Sequence, residues 1–266
     1  MHLFKIILSS LIALYVCTIT ILYFNQRSLM YHPHKEKNSL ASFNIKNAEE
    51  ITLTTDDNIK LQAWFSPSDQ NHNMVIFLHG NAGNLEDRVE HLKALTEIGY
   101  GFIIPAWRSF GKSQGTPSLE GLYLDAKSAI DYLTKHGYSL SNTIIIGESL
   151  GTGIATEMAL RYKFKGLFLI TPYTSVADRA DEIYPYMFAK QLTKDNFKIL
   201  DKIADINQPL LIIHGDSDNM VPHSHSQIIF EAAKDPKKFI LYPNINHINY
   251  NKGEVFLEMD KFFSNY

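Results

Sequence analysis

The chain has little cysteine and little excess charge. Cys17 is the one cysteine among 266 residues, so an intramolecular disulfide is impossible. The formal net charge is −3, with 25 basic and 28 acidic residues, which lacks the basic balance typical of nucleic-acid-binding proteins. Internal repeats and low-complexity tracts are also absent from the sequence. The length suffices for one large α/β domain or two small ones. The charge balance leads us to expect no nucleic-acid partner.

Long apolar runs are scarce too, and the exception lies at the N-terminus. Residues 6–24 carry no charge and follow Lys5. As a helix they would be about 28 Å long, close to the roughly 30 Å hydrocarbon core of a bilayer. A cleaved signal peptide is the alternative, but no small-residue cleavage site stands between Phe24 and Tyr31. We therefore expect residues 1–25 to form a transmembrane anchor and residues 26–49 a juxtamembrane segment.

Basic residues flank this apolar run on both sides. Lys5 precedes it, and Arg27, Lys35 and Lys37 follow it. The positive-inside rule then favours, by this small margin, a single-pass membrane protein whose following domain is cytoplasmic.

Beyond residue 49, strand-like runs alternate with helical ones. Residues 50–55 and 59–65 alternate in polarity around an Asp-Asp-Asn turn and predict a β-hairpin. The other predicted strands are 74–78, 101–105, 143–146, 166–171, 209–214 and 238–242, and the predicted helices are 85–98, 119–136, 152–162 and about 254–263. Such alternation predicts right-handed crossovers, and hence an α/β domain with a mostly parallel central sheet over residues 50–266.

Residues 172–208 are too long for a simple crossover between two of these strands. We interpret them as a small helical cap over the functional site. The aromatic side chains Tyr173, Tyr186 and Phe188 are then candidate substrate contacts. The alternative is an exposed excursion whose aromatic residues merely pack on the sheet.

The sequence Gly-Glu-Ser-Leu-Gly at 147–151 stands between a predicted strand and a predicted helix. That context is typical of a nucleophile elbow, in which a sharp turn holds Ser149 above the sheet. Gly147 and Gly151 lack a Cβ atom, so strand and helix can approach closely. Glu148 occupies the variable position of the pattern, and we expect it to face solvent or a loop.

A serine nucleophile needs a base, and the base needs an orienting carboxylate. Asp218 and His247 each follow a later predicted strand, in the order that this kind of site requires. We predict a triad of Ser149, His247 and Asp218. Asp216 is the alternative acid, and its competing role is to brace the turn after Gly215.

An oxyanion hole requires two N–H donors. We predict the backbone N–H of Leu150, which follows the serine, and that of Asn81, in the loop after residues 74–78; Ala82 is an alternative to Asn81. His79 is expected to brace the same turn.

These motifs together resemble the α/β-hydrolase superfamily, in its membrane-anchored branch with a serine aminopeptidase-type domain. The resemblance covers residues 50–263 and rests on His-Gly-Asn-Ala-Gly-Asn at 79–84, Gly-Lys-Ser at 111–113, Gly-Glu-Ser-Leu-Gly-Thr-Gly at 147–153, His-Gly at 214–215 with Asp218 and Val-Pro at 221–222, and His247. One stretch departs: the family usually has Asp-Tyr-Arg-Gly-Tyr where this chain has Ala-Trp-Arg-Ser-Phe at 106–110.

The resemblance implies a serine hydrolase of carboxylic esters or thioesters, acting on a small acyl or acylated substrate without a cofactor. A serine peptidase of the aminopeptidase type and a catalytically silent binding protein on the same fold remain alternatives. Residues 106–113 fit a phosphate loop only loosely, because turn sequence rather than a helix follows them.

No metal site is expected from the histidines. His223 and His225 lack further ligands in sequence and are expected at the start of a helix. His72, His91 and His136 have no partner that the sequence identifies, and we expect them at the surface.

Overall fold

The computed structural model describes residues 1–68 and 73–266 and contains ten strands in that part of the chain. They are β1 (His32–Pro33), β2 (Glu49–Thr54), β3 (Lys60–Ser66), β4 (Met74–Leu78), β5 (Ala82–Gly83), β6 (Gly101–Pro105), β7 (Thr143–Glu148), β8 (Gly166–Ile170), β9 (Leu210–Gly215) and β10 (Lys237–Tyr242). Eight of them form the central sheet, in the order β10-β9-β8-β7-β4-β6-β3-β2, and β1 pairs separately with β5. His72 lies outside the described residues.

The sheet is parallel from β10 to β6, and only β2 and β3 run antiparallel to their neighbours. Every residue of β4, β6, β7, β8 and β9 is buried. Their β-branched and aliphatic runs therefore behave as parallel strands covered on both faces. The mostly parallel sheet and the predicted hairpin are confirmed.

Nine α-helices surround or precede the sheet in the described part of the chain. They are α1 (His2–Met30), α2 (Val89–Glu97), α3 (Leu119–Lys135), α4 (Leu150–Arg161), α5 (Val176–Ile183), α6 (Ala189–Leu192), α7 (Leu200–Ile203), α8 (Ser224–Ala232) and α9 (Lys252–Phe263). Helix α2 packs against α9, whereas α4 packs against α3 and α7. The predicted helices are confirmed in type and in order.

The register of the sheet brings three functional loops to one edge. Leu78 of β4 pairs with Gly147 of β7, and Ile170 of β8 pairs with Glu148 and with Ile213. The carboxyl ends of β4, β7 and β9 therefore lie at the same edge of the sheet, which is where ligands bind in open α/β sheets.

The N-terminal segment differs from its predicted bounds. Helix α1 continues to Met30, beyond the predicted boundary at residue 25. After it, Tyr31, Leu40 and Ile45 are buried in the core, and His32 N–H donates to the carbonyl of Asn81 at 2.8 Å. Residues 31–48 thus pack on the α/β domain. Their apolar side chains are scattered rather than periodic, so nothing in the sequence indicated this packing.

Residues 172–208 divide into two parts. Helices α5 and α6 pack on each other and form a small layer beside α1, hereafter the cap helices. Helix α7 instead packs on α4 and α8 and belongs to the body. Asp195 joins the parts: it is 3% exposed, and it accepts two hydrogen bonds from Arg27 and one from Tyr31.

The unusual stretch at 106–110 forms a tight, buried loop. Ser109 has a φ of +74°, a left-handed conformation that explains why glycine suits this position. Arg108 donates to Asp125 from its backbone and its guanidinium, and also pairs with Asp57. These ion pairs hold the loop in place, although it lacks the aspartate and the glycine that are usual at 106 and 109 in the family that the sequence resembles.

Candidate active site

Ser149 stands at the sharp turn between β7 and α4. Its backbone has a φ of +50° and a ψ of −117°, a strained conformation for a residue with a side chain. A Cβ added at Gly151 would lie 2.0 Å from the carbonyl oxygen of Leu78, and one at Gly147 would lie 2.5 Å from the Cα of Thr152. The two glycines therefore permit the close crossing of strand and helix that the turn requires.

Ser149, His247 and Asp218 form one chain of hydrogen bonds. The Oγ of Ser149 lies 2.9 Å from Nε2 of His247, and Nδ1 of that histidine lies 2.6 Å from Oδ2 of Asp218. The carboxylate side chain of Asp218 is fully buried, while the imidazole of His247 is 12% exposed. Three loops from distant parts of the sequence thus bring together the residues that were predicted to act jointly.

Asp218 is held as a carboxylate. Burial opposes its ionisation, but hydrogen bonds from His214 and His247 and from the backbone N–H of Val221 outweigh burial and lower the pKa of Asp218 well below its usual range. A charged Asp218 favours the His247 tautomer that carries a proton on Nδ1 and leaves Nε2 free to accept one.

Asp216 has a different environment. Its side chain is exposed, and Oδ1 accepts hydrogen bonds from the Ser217 hydroxyl and from the backbone N–H of Asn244. Asp216 therefore joins the loop after β9 to the loop after β10, and it makes no hydrogen bond or ion pair with His247 among the described residues. The geometry separates the two candidate acids in favour of Asp218.

His214 is a partner of the acid that sequence reasoning did not assign. Its Nε2 lies 3.1 Å from Oδ2 of Asp218, and its Nδ1 lies 2.6 Å from the hydroxyl of Ser226. The ring is fully buried. The sequence feature that could have indicated this contact is the four-residue spacing of His214 and Asp218 across the end of β9.

The loop after β4 passes directly beside the serine. A Cβ on Gly80 would lie 3.5 Å from the Cβ of Ser149. The side chain of Asn81 points away and donates to the carbonyl of Met30 at 2.7 Å. Among the described residues, the backbone N–H groups of Asn81 and Leu150 donate no hydrogen bond.

His79 braces this loop from inside the protein. Burial lowers the pKa of His79 to about 3, and the positive charge of Arg88 acts in the same direction, so its imidazole is neutral. Trp107 contacts it twice: its indole N–H donates to the His79 carbonyl at 3.0 Å, and its backbone N–H points to Nε2 at 3.4 Å. The tryptophan of the unusual loop therefore packs under the loop after β4.

The expectation that Glu148 faces solvent or a loop is wrong. Glu148 is 1% exposed, and its Oε1 lies 2.8 Å from the guanidinium of Arg88. Burial opposes its ionisation, but Arg88 and then His91 outweigh burial and lower the pKa of Glu148. A buried ion pair thus lies immediately beneath the strained serine.

His91 is also buried, which corrects its expected surface position. It is 2% exposed among Phe77, Tyr250 and Phe256, and burial lowers its pKa. Its Nε2 lies 3.3 Å from Oε2 of Glu148 but lacks hydrogen-bond geometry. His136, by contrast, is exposed and stacks on Tyr132, as expected.

We expect Arg88→Met to lower the free energy of unfolding by about 3–5 kcal/mol, because it leaves Glu148 buried without its counter-charge. The matched control is Arg161→Met, which removes a half-exposed ion pair with Glu157 and should cost about 1 kcal/mol or less. Urea unfolding of the detergent-solubilised protein measures both. Equal losses of unfolding free energy in the two variants would contradict a stabilising role for the buried pair.

The three aromatic substrate candidates do not share one environment. Tyr173 is 4% exposed, and its hydroxyl donates to the carbonyl of Leu150 at 3.1 Å. It supports the start of α4 from inside the protein, which corrects its assignment as a substrate contact. Tyr186 and Phe188 lie between the cap helices and are 79% and 56% exposed.

The ring of His225 has structural partners. His225 lies in the first turn of α8, and its ring contacts the hydroxyl of Thr174 at 3.0 Å and the carboxylate of Glu182 at 3.1 Å. In the described part of the chain, no group of three or more histidine, cysteine or acidic side chains is arranged to hold a metal ion.

Comparison with known proteins agrees with this architecture. A family model described as the alpha/beta hydrolase fold matches residues 73–200. An uncharacterised protein of Mycobacterium tuberculosis is 30% identical over 232 residues, covering 86% of this chain and 83% of the relative. The uncharacterised protein YfhR of Escherichia coli is 31% identical over 229 residues, covering 80% of this chain and 78% of the relative.

Solved structures with the same fold include an esterase of Pyrococcus furiosus. Its TM-score is 0.69 at 20% sequence identity, and the superposition covers 89% of this chain and 95% of the esterase. At this identity the likeness bears on the fold alone.

Proposed function

Because this chain belongs to the α/β-hydrolase superfamily, we propose that it is a serine hydrolase that cleaves carboxylic esters or thioesters. The observation that carries the proposal is the hydrogen-bonded chain from Ser149 through His247 to Asp218, with distances of 2.9 and 2.6 Å. Those distances lie within the range that proton transfer between a nucleophile and its base requires.

In the proposed reaction, the Oγ of Ser149 attacks the acyl carbonyl carbon while its proton passes to Nε2 of His247. The buried carboxylate of Asp218 stabilises the imidazolium that results. His247 then returns the proton to the leaving alcohol or thiol, and the acyl group remains on Ser149. Water is next deprotonated by His247 and attacks the acyl-enzyme, which releases the acid and restores the serine.

The negative charge that develops on the carbonyl oxygen needs two donors. We assign these to the backbone N–H groups of Asn81, in the loop that passes beside Ser149, and of Leu150, at the start of α4. Leu150 begins α4, so its N–H has no partner within the helix and the helix dipole favours an anion there. The Asn81 side chain contributes indirectly, because its hydrogen bond to Met30 anchors the loop.

A panel of substrates tests the proposal against its alternatives. Wild-type protein should hydrolyse short-chain esters and thioesters, because an ester carbonyl meets the triad without the larger barrier of an amide. Aminoacyl amides should be cleaved far more slowly. Turnover of aminoacyl amides alone would favour the peptidase, and the absence of turnover on all three classes would favour a silent binding protein.

We also propose that α1 is a single-pass membrane anchor with the hydrolase domain on the cytoplasmic side. The helix has 29 residues, its apolar 18-residue stretch has a mean hydropathy of 2.3, and none of the helix residues is buried. Signal sequences can have the same character. The anchor is supported by the end of α1, where Gln26 and Arg27 form hydrogen bonds with Leu192 and Asp195 of the folded body.

The full-length protein should therefore stay in the membrane fraction after an alkaline carbonate wash, since a spanning helix is held by about 20 buried apolar residues. The membrane-bound protein should still contain residues 2–24 when its mass is measured. Release by the wash, or loss of those residues from the mature chain, would contradict the anchor and favour a signal sequence.

A further inference from the structure

An apolar groove runs between α1 and the cap helices. Its volume is about 280 Å³. It is lined from α1 by residues that include Ile19, Tyr23 and Met30, and from the cap helices by residues that include Ala180 and Leu192. Within this described lining, no residue carries a formal charge. The groove is open along one side, so it is a channel for a ligand rather than a closed core cavity.

The groove lies at the level of the membrane interface. Lys194 stands over the rings of Tyr23 and Phe24, with Nζ 4.0 and 5.3 Å from their centroids. Lysine and aromatic side chains of this kind mark the boundary between hydrocarbon and headgroups. The boundary at Tyr23 and Phe24 coincides with the end of the apolar run at residue 24, which was identified from the sequence independently.

The cap helices reach deeper than this boundary. The hydroxyl of Tyr15, in the apolar part of α1, donates to the carbonyl of Tyr186. Tyr15 lies about 12 Å further into the bilayer than Tyr23, given the rise of a helix. The exposed apolar side chains Ile183, Tyr184 and Phe188 then face lipid rather than water. One end of the groove is therefore open to hydrocarbon.

The other end of the groove approaches the serine. Met30 lines the groove, and its carbonyl accepts the hydrogen bond from Asn81, the residue to which we assign an oxyanion donor. Along α1, the lining from Ile19 to Met30 extends about 16 Å. This lining crosses the boundary at Tyr23 and Phe24, so it leads from the hydrocarbon side towards the folded domain.

We propose that this groove holds the acyl chain of a bilayer lipid ester, which enters sideways from the membrane and brings its carbonyl to Ser149. The inference rests on the proposed hydrolase function and narrows it to substrates with a long acyl chain. An acyl chain suits the uncharged lining, because each buried methylene contributes about fourfold in affinity. The polar carbonyl then leaves the groove where Met30 meets the loop of Asn81.

Two substitutions that fill the groove test this assignment in full-length protein reconstituted in phosphatidylcholine vesicles. Ile19→Trp fills it from α1, and Ala180→Trp fills it from α5. The matched control is Ile21→Trp, at a position on α1 that is 57% exposed and does not line the groove. The substrates are 4-nitrophenyl palmitate within the vesicles and water-soluble 4-nitrophenyl acetate.

Both groove variants should lower kcat/KM for the palmitate ester by roughly tenfold or more, since displacing two methylenes already costs that much. Acetate turnover should change by less than about twofold, within the effect of a surface substitution. Ile21→Trp should alter neither substrate. An unchanged ratio of palmitate to acetate turnover in both groove variants would overturn the acyl-chain assignment while leaving the hydrolase proposal intact.

A binding measurement covers the case in which the wild-type protein cleaves neither ester, which would count against the hydrolase proposal itself. Phosphatidylcholine with a diazirine on its acyl chain is irradiated in the same vesicles, and the crosslinked peptides are identified by mass spectrometry. Crosslinks should concentrate on 176–193 and fall at least tenfold in Ala180→Trp. Crosslinks spread evenly around α1, or crosslinking of 176–193 that is equal in Ala180→Trp and wild type, would contradict the inference.

Discussion

Asp218→Asn is expected to lower kcat for ester hydrolysis by about 10⁴-fold, the effect of removing a triad acid's charge while keeping its shape. In the variant, the asparagine oxygen keeps the hydrogen bonds from the backbone N–H groups of Met220 and Val221, so its NH₂ group donates to Nδ1 of His247. His247 then carries its proton on Nε2 and cannot act as the base. The effect should appear mainly in kcat, because Asp218 lies behind the histidine and does not touch the acyl group.

The neighbouring acid supplies the control. Asp216→Asn keeps an oxygen that can accept the hydrogen bonds from Ser217 and Asn244, so kcat should stay within about threefold of wild type. Thermal unfolding of both variants separates catalytic loss from misfolding, since Asp218 also contacts His214. If Asp216→Asn caused the larger loss in kcat, the acid would have been assigned to the wrong carboxylate.

The regular elements of this protein were predictable because their signals are local. The buried β-branched run at 143–146 and the apolar periodicity of 119–136 each specify one element without reference to the rest of the chain. The positions of Ser149, Asp218 and His247 followed from a further rule, that parallel strands end at a common edge. Their mutual hydrogen bonds could then be anticipated from the order of the loops alone.

The environment beneath Ser149 was not predictable, because it depends on residues that meet only in the folded chain. Arg88 and Glu148 are far apart in sequence and nothing in either segment marks them as partners. Glu148 occupies the variable position of the elbow pattern, where the sequence gives no reason to expect burial. A charged glutamate is also usually found at the surface, so its burial here is unusual. His91 was misplaced for the same reason.

Residues 31–48 show a second limit of sequence reasoning. Their strand, β1, has two residues and pairs with another two-residue strand, β5, so neither has a detectable period. The pairing is specified by backbone groups of the loop after β4, which any sequence could supply. Tyr173 was misassigned because an aromatic residue in a predicted cap has no sequence feature that distinguishes packing from substrate contact.

The central claim is that Ser149 is a nucleophile activated by His247, and covalent labelling by a fluorophosphonate tests it most directly. The serine Oγ attacks phosphorus, fluoride leaves, and the phosphonyl oxygen occupies the position of the oxyanion. Ordinary surface serines lack this activation. A probe with small alkyl substituents suits this test, because it limits steric exclusion from the site.

We predict one probe per chain, with the added mass on the peptide that contains Ser149. Ser149→Ala should abolish labelling and lower kcat on the order of 10⁶-fold, with a change in unfolding free energy of no more than about 1–2 kcal/mol. His247→Ala should remove most of the labelling and leave the protein folded. A folded wild-type protein that resists the small probe, or labelling that persists in Ser149→Ala, would contradict the account.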